Sequence, residues 1–308
     1  MKKFRLLPAL FLLAIMASCS KKDDQVTAST GAKDVYVVGY EISGTNISTA
    51  KIWKNSVATA LTNGTNEAQA TSVYVAGSDV YVAGYELNAA NVPVAKTWKN
   101  GVATALTDGT NNAMALAVFV SGTDVYAAGF EYKPVTNSSV NRRVAKVWKN
   151  GAATALTDGI YDAQAASIYA AGSDVYVAGS EYIQSTGSGE IQVAKIWKNG
   201  VATALTNGAN DAQATSVYVA GSDVYVAGCE LNTANVRVAK IWKNGVATAV
   251  TDGTKHSMVT AVFVSGTDVY AAGYENETHA IAKVWKNGVA TALTDGAKTA
   301  NATAVFVK

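Results

Sequence analysis

Along this chain apolar and polar residues come in short bursts, not in helical stripes. The stretch from Ser72 to Gly109 shows the pattern: SVYVAGSDVYVAGYELNAANVPVAKTWKNGVATALTDG. Ser72–Ala76 and Val80–Ala83 are runs rich in Val and Tyr. They are joined by Gly77-Ser78-Asp79, a short polar turn whose glycine accepts positive φ. Val94–Lys99 follows, then Asn100-Gly101, the strongest short hairpin signal, then Val102–Thr107. The pattern predicts a four-stranded antiparallel meander: tight turn, longer variable link, tight turn, longer loop. A sheet this small cannot cover both apolar faces by itself, so it must stack on copies of itself.

Copies are present. Trp53, Trp98, Trp148, Trp197, Trp242 and Trp285 are all the tryptophans, at intervals of 45, 50, 49, 45 and 43 residues. Asp-Val-Tyr also occurs six times, starting at Asp34, Asp79, Asp124, Asp174, Asp223 and Asp268. Repeats of about 40–50 residues with four strands each predict an all-β fold, a six-bladed β-propeller. The repeats begin at Asp34 with what reads as the second strand of a unit, and end at Ala302–Lys308 with what reads as a first strand. The C-terminal strand is therefore expected to pair with the N-terminal blade and close the ring, leaving no orphan edge. A longer period lies on top: Asp79/Asp223 and Asp124/Asp268 are both 144 residues apart, as for a duplicated three-blade unit.

Ahead of the repeats, Lys2, Lys3 and Arg5 precede the apolar run Leu6–Met16 and the small residues Ala17-Ser18. That run is too short to span a bilayer as a permanent helix and reads as a cleaved export signal. Ending in Met16-Ala17-Ser18-Cys19, it resembles a bacterial lipoprotein signal. The resemblance implies a signal peptide over 1–18, a lipid on Cys19, a tether over 19–33 and the propeller over 34–308. Ser20-Lys21-Lys22-Asp23-Asp24 is similar to the surface-export signals of Bacteroidetes lipoproteins; a solvated spacer is the other reading. With its VYVAGYE and AKxWKNG repeats, the chain as a whole resembles a Bacteroidetes-like outer-membrane lipoprotein of the propeller type. Attachment to the outer membrane is the expectation, with cell surface and periplasmic side left open.

The formal charge of +2 falls to about −1 once Lys2, Lys3 and Arg5 are set aside, leaving 22 basic against 23 acidic side chains. No basic patch suggests nucleic acid. Cys229 is the only other cysteine, so the mature chain has no intramolecular disulfide to form. It takes a position filled elsewhere by Tyr40, Tyr85, Phe130, Ser180 and Tyr274, which favours a packed thiol over a nucleophile. His256 and His279 lack ligand-like spacing.

The tight turns should share one face of the ring, and the variable links and inter-blade loops the other. Variable loops on a rigid scaffold are where binding usually resides. Two loop positions stand out: Glu67, Asn112, Asp162, Asp211, His256 and Thr299, and two residues on, Gln69, Met114, Gln164, Gln213, Met258 and Asn301. The second set is expected near the channel mouth, where a polar pocket could take a small ligand, a glycan or a cation. Loop capping is the competing reading. Tyr132, Tyr161 and Tyr182 could offer flat faces to sugar rings, or simply cover blade edges. The tryptophans are expected in the core. Glu41, Glu86, Glu131, Glu181, Glu230 and Glu275 are expected to pair with Lys51, Lys96, Lys146, Lys195, Lys240 and Lys283.

Enzyme readings meet shortages. A sialidase arginine triad is hard to build from Arg142, Arg143 and Arg237, and no Gly-x-Ser-x-Gly, phosphate loop or His-Glu-x-x-His occurs. The double glycines of kelch repeats and the Trp-Asp of WD repeats are also missing. The expectation is a non-enzymatic binding module without cofactor or metal. Its partner is a glycan or protein, and it meets the membrane through the lipid alone. An interaction scaffold in an outer-membrane assembly is the alternative, and a hydrolase using Asp162 and Asp211 the third reading.

Overall fold

The computed structural model describes residues 34–307 except 45, 136–139, 186 and 188. The signal, Cys19 and the tether lie outside the described residues. Among the described residues there are 23 strands and no helix, arranged as one three-stranded and five four-stranded antiparallel sheets in simple sequence order. Blade one is Tyr36–Ile42, Ser48–Lys54 and Val57–Ala60. Blade two, Ala68–Ala76, Asp79–Leu87, Pro93–Lys99 and Val102–Ala105, sets the pattern that the next four follow.

The hairpins form as their turn residues dictate. Asn100 and Gly101 have φ of 49° and 84°, the doubly positive geometry that matches strand twist. Blade one reaches the same turn with Ser56 at φ 68° in place of glycine. One clasp holds both tight turns of a blade. Asp79 takes Lys99 at 2.8 Å on one carboxylate oxygen and the Asn100 amide at 2.8 Å on the other. Asn100 in turn exchanges bonds with the Val80 backbone, and Lys99 lies 5.3 Å from the Tyr81 ring centroid. Asp124, Asp174, Asp223 and Asp268 repeat the arrangement.

These contacts, the lysine first and the asparagine next, hold the five carboxyl groups below the ordinary Asp value. Because the folded pKa is depressed, the stabilisation is complete above the unfolded value, about 3.9. It is lost as pH falls through the folded one. The urea midpoint is therefore expected to hold from pH 7 to 5 and to drop below pH 4, less steeply in high salt because the pairs are half exposed. An unchanged midpoint at pH 3 would show the clasps to be inert.

The expected Glu–Lys pairs all form, from Glu41–Lys51 and Glu86–Lys96 to Glu275–Lys283. In the ladder Glu86 faces Val94 while Lys96 faces Gly84, so each pair runs diagonally across one sheet face.

The core lies between blades, not within them. Each junction from one/two to five/six has its own apolar cluster, and each is sealed by the tryptophan of the later blade. Trp98, Trp148, Trp197, Trp242 and Trp285 are at most 1% exposed, as a core reading requires. Inner strands are knitted by a bulge residue: Thr71 Oγ1 donates to Ala115 O of the next blade at 2.8 Å, and Thr215 to Val259 O at 2.7 Å. Aromatic side chains of successive inner strands also touch, Tyr74–Phe119–Tyr169–Tyr218–Phe263, with centroids 4.6–5.1 Å apart.

Residues 301–307 continue this series without forming a strand. Thr260 Oγ1 donates to Ala302 O at 2.6 Å, and Phe306 lies 5.0 Å from Phe263. The C-terminal segment is thus docked on blade six in the register of a next inner strand. The expected pairing with blade one is not made among the described strands, where Tyr36–Ile42 bonds only Ser48–Lys54. Among the described residues no apolar cluster joins blades six and one. Trp53 is only half-buried, and Leu293, whose counterparts Leu61 and Leu106 are 9% exposed, is 56% exposed.

Candidate binding site at the loop face

The loop positions singled out in the sequence are first of all inter-blade caps. Asp162 Oδ1 accepts the backbone N–H of Arg143 at 2.7 Å, and Asp211 Oδ1 that of Gln192 at 2.7 Å. His256 Nδ1 accepts that of Arg237 at 3.0 Å. In each case a loop side chain satisfies a third-strand N–H of the preceding blade. For Asn112 the equivalent third-strand position is Pro93, which has no N–H to give, and Glu67 is exposed. The capping reading therefore holds for three of these residues.

The second set does lie beside them, and junction three/four is latched shut. Arg143 donates to Gln164 Oε1 at 3.2 Å, contacts Asp162, and lies 5.6 Å from the Phe130 ring centroid. Arg142 forks onto Glu190 of blade four at 2.7 and 3.0 Å. The Arg142 guanidinium is held charged chiefly by Glu190.

Junction four/five differs. A cavity of about 150 Å³ is lined by Tyr182, Gln192, Asp211, Ala212, Gln213, Cys229, Leu231 and Arg237. Three of the sequence candidates, Tyr182, Asp211 and Gln213, meet there. Its floor is a polar chain in which Gln213 donates to Gln192 at 2.8 Å and Gln192 donates to Ser180 at 2.9 Å.

The cavity has a specific cause. Most blades put an aromatic ring at the position of Tyr40, Tyr85, Phe130 and Tyr274, but blades four and five, next to each other, have Ser180 and Cys229. Cys229, which lines the cavity, leaves free the volume that a ring takes in four other blades. Cys229 is itself 3% exposed, and burial pushes its thiol up to about 11, so it is a packing residue and not a nucleophile.

Arg237 is the other residue that sequence reasoning passed over. Its counterpart Arg143 is satisfied by Asp162 and Gln164. For Arg237 the equivalent positions are His256 and Met258, which offer no side-chain oxygen. Its guanidinium accordingly forms no hydrogen bond or ion pair among the described residues. The series of aromatic positions was visible in the sequence. Its meaning needed the knowledge that Cys229 lines a cavity together with residues of blade four.

The remaining candidates do not join this site. Tyr132 packs edge-on to Phe130 with centroids 5.7 Å apart and lines a separate, open hollow of about 470 Å³ with Lys133 and Pro134. Tyr161 is half-buried beside Arg142. Gln69 and Glu67 occupy the place related to Gln213 and Asp211 by the 144-residue offset, but there Tyr85 stands for Cys229 and Pro93 for Arg237. The internal duplication is otherwise retained: Asn88 donates to Gly109 O and Asn232 to Gly253 O, both at 3.0 Å. The pocket is one place where the two halves diverge.

A wider hollow of about 600 Å³ lies on the uncovered side of blade one beside Trp53. Two of about 220 Å³ run between outer strands at the tight-turn end. None of these gathers charged groups as the four/five pocket does. No group of acidic, histidine or cysteine side chains among the described residues could hold a metal ion. No helix among them is long and apolar enough to cross a membrane.

The chain matches no family model, and no curated protein matches it. Among solved structures it is similar to the acylaminoacyl peptidase of Pyrococcus horikoshii, at TM-score 0.52 and 11% identity, over 85% of this chain and 43% of that one. The chain has a β-propeller fold. At that identity the likeness extends to the fold alone. A puromycin-hydrolysing peptidase of Mycobacterium tuberculosis aligns at TM-score 0.40 and 12% identity, over 85% of this chain and 52% of that one. YjhT aligns at TM-score 0.45 and 10% identity, over 79% and 90% of the two chains. The chain spans about half the length of the two peptidases.

Proposed function

We propose that this protein is a lipid-anchored, non-enzymatic binding module. Export and attachment run through Cys19, and the loop face of the propeller engages a glycan or protein ligand. The observation that carries the reading is the pocket between blades four and five, where an unpartnered guanidinium, two amides, a carboxylate and a tyrosine converge. At about 150 Å³ it is smaller than the roughly 300–1,000 Å³ of clefts that enclose drug-sized ligands, so it takes an end group and not a whole oligomer.

The carboxylates favour binding over hydrolysis. Asp162 is engaged by Arg142 and Arg143, and Asp211 caps a strand. A closed ring belongs to the same proposal: residues 302–307 pair with Tyr36–Ile42 and give the loop face a rigid base.

In the test, exported protein carrying Cys19→Ser, expected to leave the membrane fraction, is screened on a glycan array and in pull-downs against outer-membrane extracts. Tyr182→Ala should abolish whatever binding the parent shows, and Tyr132→Ala should leave it within about twofold, since Tyr132 lines a different hollow. A parent that retains no ligand, or equal loss in both variants, refutes the reading. Recovery of large assemblies independent of Tyr182 would instead favour the scaffold.

A further inference from the structure

We infer that the group entering the four/five pocket is zwitterionic, an ammonium and a carboxylate on one short end, as in an α-amino acid. This rests on the binding reading above and specifies its chemistry. Asp211 and Arg237 line the same small cavity and yet make no ion pair with each other among the described residues. Nor does either pair elsewhere. Asp211, exposed, uses one carboxylate oxygen to cap Gln192 at 2.7 Å, and the equally exposed Arg237 guanidinium makes no hydrogen bond or ion pair among the described residues.

Opposite charges that share a cavity without touching are matched by a ligand that bridges them. A simple anion satisfies Arg237 but meets the Asp211 carboxylate, and a simple cation meets the reverse problem. A neutral sugar leaves both exposed charges to water and makes use of neither. A zwitterion pairs both, and the amide groups of Gln192 and Gln213 remain to bond its polar atoms. Leu231 and the Cys229 thiol supply a small apolar wall for a short side chain.

The duplication gives an internal control. In the related position between blades one and two, Pro93 removes the cation and Tyr85 occupies the space of the thiol. Tyr85 is half-buried there, and burial, with Glu67 next, raises its hydroxyl above the ordinary value. The chain thus carries one open and one filled version of the same site, and only the open one presents both charges.

The test is titration calorimetry with glycine, L-alanine and L-glutamate. Beside them run N-acetylglycine, which lacks the cation, and glycinamide, which lacks the anion. The free amino acids are expected to bind with dissociation constants below about 1 mM. Each single-charge analogue should bind at least about tenfold more weakly. Arg237→Gln should erase the preference over glycinamide. Asp211→Asn keeps the strand cap and should erase the preference over N-acetylglycine. Cys229→Tyr, which restores the residue of the filled version, should remove binding altogether. Absence of heat with all three amino acids at about 10 mM overturns the inference, as does N-acetylglycine binding as tightly as glycine. If Tyr182-dependent retention of a glycan or protein persists while the amino acids fail, the binding reading stands and only the zwitterion falls.

Discussion

A chain ending at Asn301 should melt about 10 °C below the full-length protein, a loss of roughly 3–5 kcal/mol for a domain this large. Part of the loss is directly visible on blade six. Residues 302–307 provide the acceptor for Thr260 and the ring against Phe263, and they cover the inner edge of Ser257–Ser265. The larger part follows from the proposed closure. Blade two supplies the register, since there Tyr74 faces Tyr81 and Val73 faces Val82. Transferred to the ends, this sets Phe306 opposite Tyr36 and Val305 opposite Val37.

A second measurement separates the two contributions. Val37→Cys with Val305→Cys should form a disulfide under mild oxidation, because directly paired strand positions meet the distance limits of a cystine. Free thiols at both positions together with a small melting loss on truncation would mean that the segment docks on blade six alone. Full cross-linking with the large loss would mean a sealed ring.

Much of the scaffold was legible because it rests on local rules repeated six times. Asn-Gly pairs dictated the hairpins, the spacing of Glu and Lys dictated diagonal pairs, and tryptophan in a fixed strand context dictated burial. Trp53 marks the limit of such reasoning. Its sequence context matches the other five, but the face that should cover it belongs to blade six, about 230 residues away along the chain. The site was harder still. Asp162, Asp211 and His256 read in the sequence as loop residues, and in the fold they cap backbone N–H groups across a junction. Tyr132, Tyr161 and Tyr182 share a residue type in the loops, whereas the geometry places only Tyr182 in the pocket. What distinguishes the pocket is the absence of a ring at Cys229, and an absence in a strand gives no motif to recognise.

Gly228→Ala should be among the most damaging single substitutions outside the tryptophans, costing more than about 4 kcal/mol. A Cβ on Gly228 would lie 1.9 Å from Gln213 O, and at Gly84, Gly129, Gly179 and Gly273 the corresponding distance is 2.0 Å. In each case the obstacle is the backbone of the blade's own inner strand, which cannot rotate away as a side chain could. Gly39 holds the equivalent position in blade one, and there an added Cβ meets only the Trp53 ring at 3.6 Å. With no inner strand beside it, alanine at 39 should cost less than about 1 kcal/mol. In a ring closed by residues 302–307, the Asn301 carbonyl would lie where Gln213 O lies in blade five, and Gly39→Ala should be nearly as costly as Gly228→Ala. Unfolding of Gly39→Ala with and without residues 302–308 completes a double-mutant cycle. A strong coupling places the C-terminal strand against Gly39. Additive effects leave the seam between blades one and six unpaired, and with it the rigid base required of the loop face.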